Sequence, residues 1–555
     1  MNINEILIQD LIKSRVKTQV DLASFKRKVS KKYKIPCPSN VLLLKTYHEM
    51  VRKKTLHRPA FTKVSAGKQG FGGRGNKIFG ILEKLLRTRP IRSLSGIVNI
   101  SVLTKPYPCP GKCLYCPLEK GIPKSYVSGE PAVERAKALN YEPCLQVKKR
   151  IEMLENQGHP TDKIELRIVG GTWSFYPKKY QTWFITRCFA ACNAGQTRNK
   201  NAKLTRKIKS LKEEQKINEK VKHRIVGLSI ETRPDFIDSA EIKRLRELGA
   251  TMVELGVQSI YDDVLKINLR GHGVKETIFA TRLLKDAGFK VLYQMMPNLP
   301  GSNLKRDEKM FKELFKNPDF QPDLLKIYPC ALLKETPLYK LWKKKKYQPY
   351  TKSQLINLIE KIKKKIPYYI RIQRITRDIP SQRIVKGGAK ISNLRQILAE
   401  KIERENWKCK CIRCREVMGN YNPREKLYLF RQDYNASDGK EVFLSFCTRG
   451  ASASEEENPE KLYSLLRLRI TSTGEAIIRE VHTYGPLVSI AEKKLAPQHR
   501  GLGKKLIKEA EKITKKEFGL NKIAVISGIG ARSYFSKLGY KLKDTYMVEN
   551  LKAAH

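Results

Sequence analysis

The chain has 555 residues, 41% of them hydrophobic, enough for several packed domains, and it carries 111 Lys and Arg against 54 Asp and Glu, a formal net charge of +57. That charge exceeds what solubility requires and implies a polyanionic partner. Nucleic acid is favoured over a membrane, because no basic amphipathic anchor, secretory h-region or bilayer-length apolar run is found, and a heat-adapted surface would balance its Lys with Glu. The expectation is a cytoplasmic protein of at least three domains, whose twelve Cys hold metal rather than disulfides.

Residues 1–92 carry 22 Lys and Arg against 5 Asp and Glu and include the turn-rich stretch GKQGFGGRGNK (67–77). With Tyr33, Phe61 and Phe71 interleaved, they read as a basic, partly helical arm suited to tracking an RNA backbone. From 93 to 385, short β-rich runs recur: SGIVNISVL (95–103), IELRIVGGT (164–172), IVGLSIETRPD (225–235), MVELGVQS (252–259), VLYQMMPNLPG (291–301), LLKIYPC (324–330) and YYIRIQRITRDIP (368–380). Each ends in a polar or glycine-containing turn and most precede a helical pattern. The alternation predicts a parallel sheet, and its length a full or partial (β/α) barrel, which gathers reactive residues at the C-terminal strand ends. The charged segment 193–224 interrupts this rhythm and reads as an exposed helical insertion. Residues 386–425, with WKCKCIRC, read as a metal-binding linker. Residues 426–555 read as a separate α/β domain of antiparallel strands, a glycine turn, an amphipathic helix, and a last strand and helix.

The stretch CPGKCLYC (109–116) supplies three thiols where a structural zinc site or a conventional four-iron cluster takes four. Either a distant ligand completes a zinc knuckle, or one iron of a [4Fe-4S] cluster keeps an open position. The loop follows the first strand, Tyr115 precedes the last cysteine, and the next strand ends in IVGGT. On these residues the region resembles the radical S-adenosylmethionine superfamily. The resemblance implies a [4Fe-4S] cluster on Cys109, Cys113 and Cys116, with S-adenosylmethionine on the open iron as the source of a 5′-deoxyadenosyl radical. It also implies that Gly170, Gly171 and Thr172 meet the methionine amino group, with Thr172 standing where an acidic residue often follows the glycines. Glu231, Arg233 and Gln258 are the implied ribose and methionine contacts.

IREVHTYGPLV (478–488) precedes APQHRGLGKKLIKEAEKI (496–513), placing Gln498, Gly501 and Gly503 of a Q-x-x-G-x-G pattern at a helix start. Leu502, Leu506, Ala510 and Ile513 give that helix an apolar face, and the glycines let backbone approach a pyrophosphate at its N-terminus. With GIGARSYFSKLGY (528–540), the region resembles the GCN5-related acetyltransferases, which implies acetyl-CoA. Basic arm, radical barrel and acetyltransferase domain in one chain resemble the catalytic subunits of Elongator, the tRNA uridine(34) acetyltransferases. The strings KPYPCPGKCLYCP, VGGTW, IETRPD, ELGVQS, RGH (270–272), MMPNLPG, QRITRDIP and REVHTYG carry this resemblance. It implies that hydrogen is abstracted from the acetyl-CoA methyl group, that carbon adds to C5 of the wobble uridine, and that thioester hydrolysis leaves 5-carboxymethyluridine. An electron donor, and other Elongator subunits or a second copy, are the implied partners beside tRNA.

Acetyl-CoA contacts implied by the resemblance are Lys163, then Glu480, Val481, His482 and Thr483, then Leu502, Gly503 and Lys504. A family tyrosine pair falls on Tyr534 and Phe535, so the second phenol is absent, and Lys163 and Tyr534 are the candidate catalytic groups. Cys409, Cys411 and Cys414 form a soft trio that predicts zinc. Cys330 is the preferred fourth ligand and Cys447 the second choice, while Cys37, Cys144, Cys188 and Cys192 read as packing thiols. Two other classes stay open. One is a protein lysine acetyltransferase, whose basic substrate tails a cationic enzyme would repel; the other is a non-catalytic iron–sulfur RNA-binding scaffold.

Overall fold

A computed structural model describes residues 2–14, 16–53, 82–194, 207–419, 421–450, 458–487 and 497–551. The chain divides into two compact units, Met1–Leu94 with Lys149–Thr161, and Ser95–Lys148 with Asp162–His555. GKQGFGGRGNK, Phe61 and Phe71 lie outside the described residues.

In the first unit, helices Ile3–Lys13 and Gln19–Lys32 each open with a capping box, Asn2 with Glu5 and Thr18 with Asp21. Each box satisfies donors that the first turn leaves without partners. A third helix, Asn40–Arg52, is capped by Ser39. Apolar residues at helical spacing, among them Leu7, Leu11, Leu22, Phe25, Leu43 and Tyr47, turn inward to form a shared core. The basic segment thus holds itself folded while its charges face out.

The second unit contains two sheets. The first runs β1 (Val98–Leu103), β2 (Lys163–Val169), β3 (Arg224–Thr232), β4 (Met252–Gln258), β5 (Lys290–Met295), β6 (Leu324–Ile327) and β7 (Arg371–Ile375) in chain order, every neighbour parallel. β1 and β7 are not paired with each other, so this is a half-barrel. Along β2, Ile164, Leu166 and Ile168 are buried, whereas Lys163, Glu165, Arg167 and Val169 are only half-buried. The period of two puts the first set under the flanking helices and the second set in the lumen.

The second sheet comprises β8 (Tyr428–Ala436), β9 (Gly439–Arg449), β10 (Pro459–Ile470), β11 (Ala476–Thr483), β12 (Lys522–Val525), β13 (Lys541–Lys543) and β14 (Tyr546–Asn550), in the order β13-β14-β12-β11-β10-β9-β8. Only β11–β12 is parallel. The helix Leu502–Lys516 seats Leu506, Ile507, Ala510 and Ile513 against Leu466, Leu468 and Ile478 of the sheet. Each buried Leu or Ile there stabilises the packing by about 1.5–3 kcal/mol.

Two expectations change. The chain does not finish with one strand and a helix; a β13–β14 hairpin follows the short helix Arg532–Ser536, its alternation masked in sequence by charged residues. Nor is the described part of the 193–224 insertion merely exposed. Its helix Leu211–Asn218 buries Glu214 and Asn218, and Asn193 Nδ2 donates to Glu214 Oε2 at 2.7 Å. Asn218 Oδ1 in turn accepts the Ile225 N–H at 2.8 Å, which seats the start of β3. Polar groups that satisfy one another look like surface in a hydropathy pattern.

The second sheet meets the first at the N-terminal ends of its strands. A register irregularity pairs Arg467 with Glu480 and Leu468 with Ile478, leaving Arg479 as the extra residue of a bulge. Its side chain turns to Asp323, just before β6, with Nη1 3.0 Å from Oδ1, and also to Glu441. All three are fully buried. Tyr369 stacks on Tyr434 with centroids 4.0 Å apart across the same junction.

Candidate active site

At the C-terminal strand ends, β1 leads into the loop that carries Cys109, Cys113 and Cys116. β2 ends on Gly170 and Gly171, at φ +136° and +108°, and a Cβ on Gly170 would collide with Thr104 Oγ1. Only glycine fits that strand end. Next to it, Thr172 Oγ1 lies 3.7 Å from Cys109 Sγ. Arg270 Nη1 lies 3.6 Å from Cys113 Sγ, its other nitrogen donating to the Gly256 carbonyl at 2.5 Å. Arg233 donates from Nε and Nη2 to Asp235, each at 2.8 Å, while its buried Nη1 has no partner among the described residues. That nitrogen lies 2.6 Å from where a Cβ on Gly111 would sit, so the free donor points at the cysteine loop. Burial, then the neighbouring Cys113, pushes the Cys116 thiol up to about 12. Gln258, at the end of β4, holds φ +69°, a left-handed conformation where the strand's pairing with β5 shifts register. Soft sulfur donors, a glycine cradle and an unpartnered guanidinium nitrogen fit an iron–sulfur cluster with a carboxylate-bearing ligand.

Below this mouth the lumen carries a layer of charged groups, where a barrel interior is ordinarily layered with branched apolar side chains. Arg167 Nη2 donates to Glu254 Oε1 at 2.6 Å and to Gln373 Oε1 at 2.7 Å. Lys326 pairs with Glu254 and, at 3.3 Å, with Glu231, which also accepts from Tyr126 and Gln294, each at 3.2 Å. Burial would raise both carboxyls. Arg167 and Lys326 hold Glu254 well below the ordinary range, while Glu231 stays above it. Sequence reading missed Arg167, Glu254 and Lys326, although charges at the centres of IELRIV, MVELGV and LLKIYP were the visible signal. Arg270 was quoted only as part of RGH.

The remaining candidates gather at the opposite, N-terminal end of the strands. Lys163 Nζ donates to Gln498 Oε1 at 2.9 Å, and Gln498 Nε2 donates to the Gly96 and Thr483 carbonyls at 3.1 and 3.2 Å. Burial lowers the Lys163 ammonium, which has a neutral partner there. Glu480 bridges Lys290 Nζ at 3.1 Å and Arg467 Nε at 2.9 Å, and His482 meets the Ser95 carbonyl at 2.7 Å. Burial, only partly offset by Glu480, lowers the His482 imidazole. β11 pairs with β12 only through Ile478, so, among the described residues, 480–482 have β10 on one side and no strand along the other edge, while Gln498 Nε2 takes the Thr483 carbonyl. That edge is ready for an amide-bearing ligand.

Gly501, at φ +71°, opens the helix that begins at Leu502, placing Lys504 in its first turn. A Cβ on Gly503 would sit 3.2 Å from Tyr534 Oη, with Val481 and Thr483 next. Tyr534 is 43% exposed, and burial of the rest of its ring raises its phenol. Phe535 is instead in the core beside Tyr540 and Met547, which removes it from the ligand contacts.

Cys409, Cys411 and Cys414 lie with their sulfurs within 4.8 Å of one another. Sulfurs at 2.3 Å from a tetrahedral zinc would stand about 3.8 Å apart, so the trio fits one ion. Cys330 does not join it: its thiol sits in an apolar pocket with Leu299, Leu332, Leu338 and Tyr347, and burial pushes it up to about 12. Cys447, on β9, instead accepts from Arg415 at 3.6 Å. The group against the trio is Lys363 Nζ, 3.1 Å from Cys409 Sγ and 3.3 Å from Cys414 Sγ. One lysine among many on the helix Lys352–Lys365 gave no signal of this in sequence.

Residues 107–314 match the Radical SAM superfamily, and residues 322–404 the Radical SAM C-terminal domain. The half-barrel and cysteine mouth therefore define an enzyme of the radical S-adenosylmethionine class, which implies a [4Fe-4S] cluster and S-adenosylmethionine. Over 493 residues, 85% of this chain and 89% of its relative, it is 45% identical to the tRNA uridine(34) acetyltransferase of Methanocaldococcus infernus. It is 37% identical to Elongator complex protein 3 of Homo sapiens over 500 residues, 85% of this chain and 87% of that one. The solved structure of M. infernus Elp3 lacking residues 1–46 superposes with a TM-score of 0.69 at 41% identity, covering 83% of this chain and all of that chain. The chain belongs to the tRNA uridine(34) acetyltransferase family, the family of Elongator complex protein 3. Among the described residues, no helix is long and apolar enough to cross a membrane.

Proposed function

We propose that the chain converts the wobble uridine of tRNA to 5-carboxymethyluridine, taking the two-carbon unit from acetyl-CoA. The Lys163–Gln498 hydrogen bond carries this reading, since it ties β2 of the radical half-barrel to the turn that opens the Leu502–Lys516 helix. When bound, the iron–sulfur cluster and S-adenosylmethionine supply hydrogen-atom abstraction from an unactivated carbon. Cys109, Cys113 and Cys116 would hold the cluster. Gly170, Gly171 and Thr172 with Arg233 would take the methionine end of the cosubstrate, and Glu231 and Gln258 its ribose. The second sheet, read as a GCN5-related acetyltransferase fold, would hold acetyl-CoA with its pyrophosphate at Gly501 to Lys504. The pantetheine amides would lie along the 480–482 edge. Lys163 would orient the thioester carbonyl, and Tyr534 is the phenol placed to pass a proton. The net charge of +57 supplies phosphate neutralisation for tRNA, with residues 1–92 the densest basic segment. Zinc would occupy the Cys409 trio, with Lys363 balancing the excess thiolate charge.

Anaerobically reconstituted protein, given reductant, S-adenosylmethionine, acetyl-CoA and tRNA, is expected to form 5′-deoxyadenosine and carboxymethylated tRNA. Cys113→Ala should abolish both while leaving tRNA affinity within about twofold. Acetylation of protein without tRNA, or unchanged S-adenosylmethionine cleavage in Cys113→Ala, would overturn the reading.

A further inference from the structure

The residues assigned to the acetyl donor and those assigned to the radical stand at opposite ends of the same strands. Lys163 is the first residue of β2, and Val169 is the last before Gly170. Six residue steps at about 3.3 Å separate the two ends by about 20 Å. Reactive carbon and hydrogen acceptor must come into contact, so one has to travel, and the route between them is the lumen.

We propose that the half-barrel lumen is a passage through which the acyl end of acetyl-CoA is threaded from Lys163 toward the cysteine mouth, with Arg167 as a crossbar midway. The proposal rests on the functional reading above and adds the path that joins its two sites.

The lining matches such an occupant. On the β1–β3 side, Asn99 pairs with Glu165 and Ser101 with Arg167, while Gly227 faces Glu165 from β3. Asn99 is exposed and Ser101 half-buried, although Val98, Ile100 and Val102 between them are completely buried. The inner face of β1 is therefore open. Gly227 leaves a gap: a Cβ there would touch only Glu165 and Thr251, each at an ordinary 3.6 Å. Across the lumen, Met252, Leu292 and Leu324 pack together as a buried apolar cluster that backs this open side. A partly open polar face on β1 suits the amides of a slender chain; the charged nucleotide end would stay at the glycine turn.

Arg167 closes the middle. It reaches from β2 to Glu254 on β4 and Gln373 on β7, keeps 15% of its side-chain surface, and leaves its buried Nε without a partner among the described residues. That spare donor is available to an amide or thioester carbonyl drawn alongside. Glu254 and Lys326, 0% and 4% exposed, form the fixed side of the crossbar.

Two experiments on the full-length chain test this. With trideuteroacetyl-CoA, tRNA, S-adenosylmethionine and reductant, the reconstituted wild type should pass deuterium into 5′-deoxyadenosine. Gly227→Leu, which fills the lumen without touching either end, should lower that transfer at least tenfold while acetyl-CoA binding and 5′-deoxyadenosine formation persist. A folded Gly227→Leu protein that transfers deuterium at the wild-type rate overturns the proposal. Independently of iron or radical, the introduced thiol of Ser101→Cys, on the open edge strand, should be alkylated in metal-free protein. A non-hydrolysable acetyl-CoA thioether should slow this severalfold, as followed by peptide mass spectrometry. Equal alkylation with and without the thioether overturns the passage, including where Gly227→Leu does not fold. A wild type that makes no 5′-deoxyadenosine would bring down the functional reading, and the labelling result would still decide the passage.

Discussion

Glu480 joins the two sheets. One carboxylate oxygen meets Lys290 at the start of β5 and the other meets Arg467 on β10. Burial works against the charge, yet Lys290 and Arg467 hold its carboxyl at about 2, against an ordinary value of 4.5. At 1.36 kcal/mol per pH unit, that difference amounts to about 3 kcal/mol of stability at neutral pH. The same contact, overcoming burial, raises the Lys290 ammonium, so both partners report one interaction. Because the folded value is depressed, the stabilisation is complete above pH 4.5 and is lost as pH falls toward about 2. By about pH 3 roughly 2 kcal/mol of it is gone. Glu480→Gln should therefore cost about 3 kcal/mol in urea unfolding at neutral pH, and its gap from wild type should narrow across that acid range. In a double-mutant cycle, Lys290→Met should show a coupling of about 2 kcal/mol with it. A cost below about 0.5 kcal/mol, with no coupling, would show that the junction does not depend on this bridge.

Cys411→Ser should release zinc, measured by elemental analysis, while cluster iron is retained; a variant that keeps its full zinc content would remove the trio as the site. Gly170→Ala should destabilise the half-barrel by more than about 2 kcal/mol and weaken S-adenosylmethionine binding, because the new methyl meets Thr104. Gly171→Ala has space around its Cβ and should lose less, so the reverse order in thermal unfolding would refute the assignment. Removal of residues 1–92 should weaken tRNA binding and reduce its logarithmic salt slope by about 0.9 for each phosphate that the arm no longer neutralises. An unchanged slope would move the RNA surface elsewhere.

The seven parallel strands were legible because each is a short β-branched run closed by turn residues, a pattern that survives in one dimension. The cysteine loop and the glycines of β2 were legible for a similar reason, since their spacing is itself the chemistry. The Cys409 trio, within six residues, could be found; its surroundings could not. Cys330 looked available as a ligand because it stands at the end of a barrel strand, and only folding shows it sealed against Tyr347. Phe535 matched a ligand position by alignment of strings, but side-chain direction on a short helix sends it into the core.

The sequence alone determined the local units: the strand order of the half-barrel, the thiol spacings, the glycine turn before Leu502, and the excess of positive charge. These depend on periodicity and on residue types a few positions apart. Tertiary structure alone decided what lies at which end of the barrel. Lys163 meeting Gln498, Arg479 turned by a bulge onto Asp323, and Arg167 spanning the lumen to Glu254 each join residues 87 to 335 positions apart. No periodic signal encodes such meetings. They follow from packing strands and sheets so that buried charges such as Arg479 and Arg167 meet opposite ones, a condition that exists only once the chain has closed on itself.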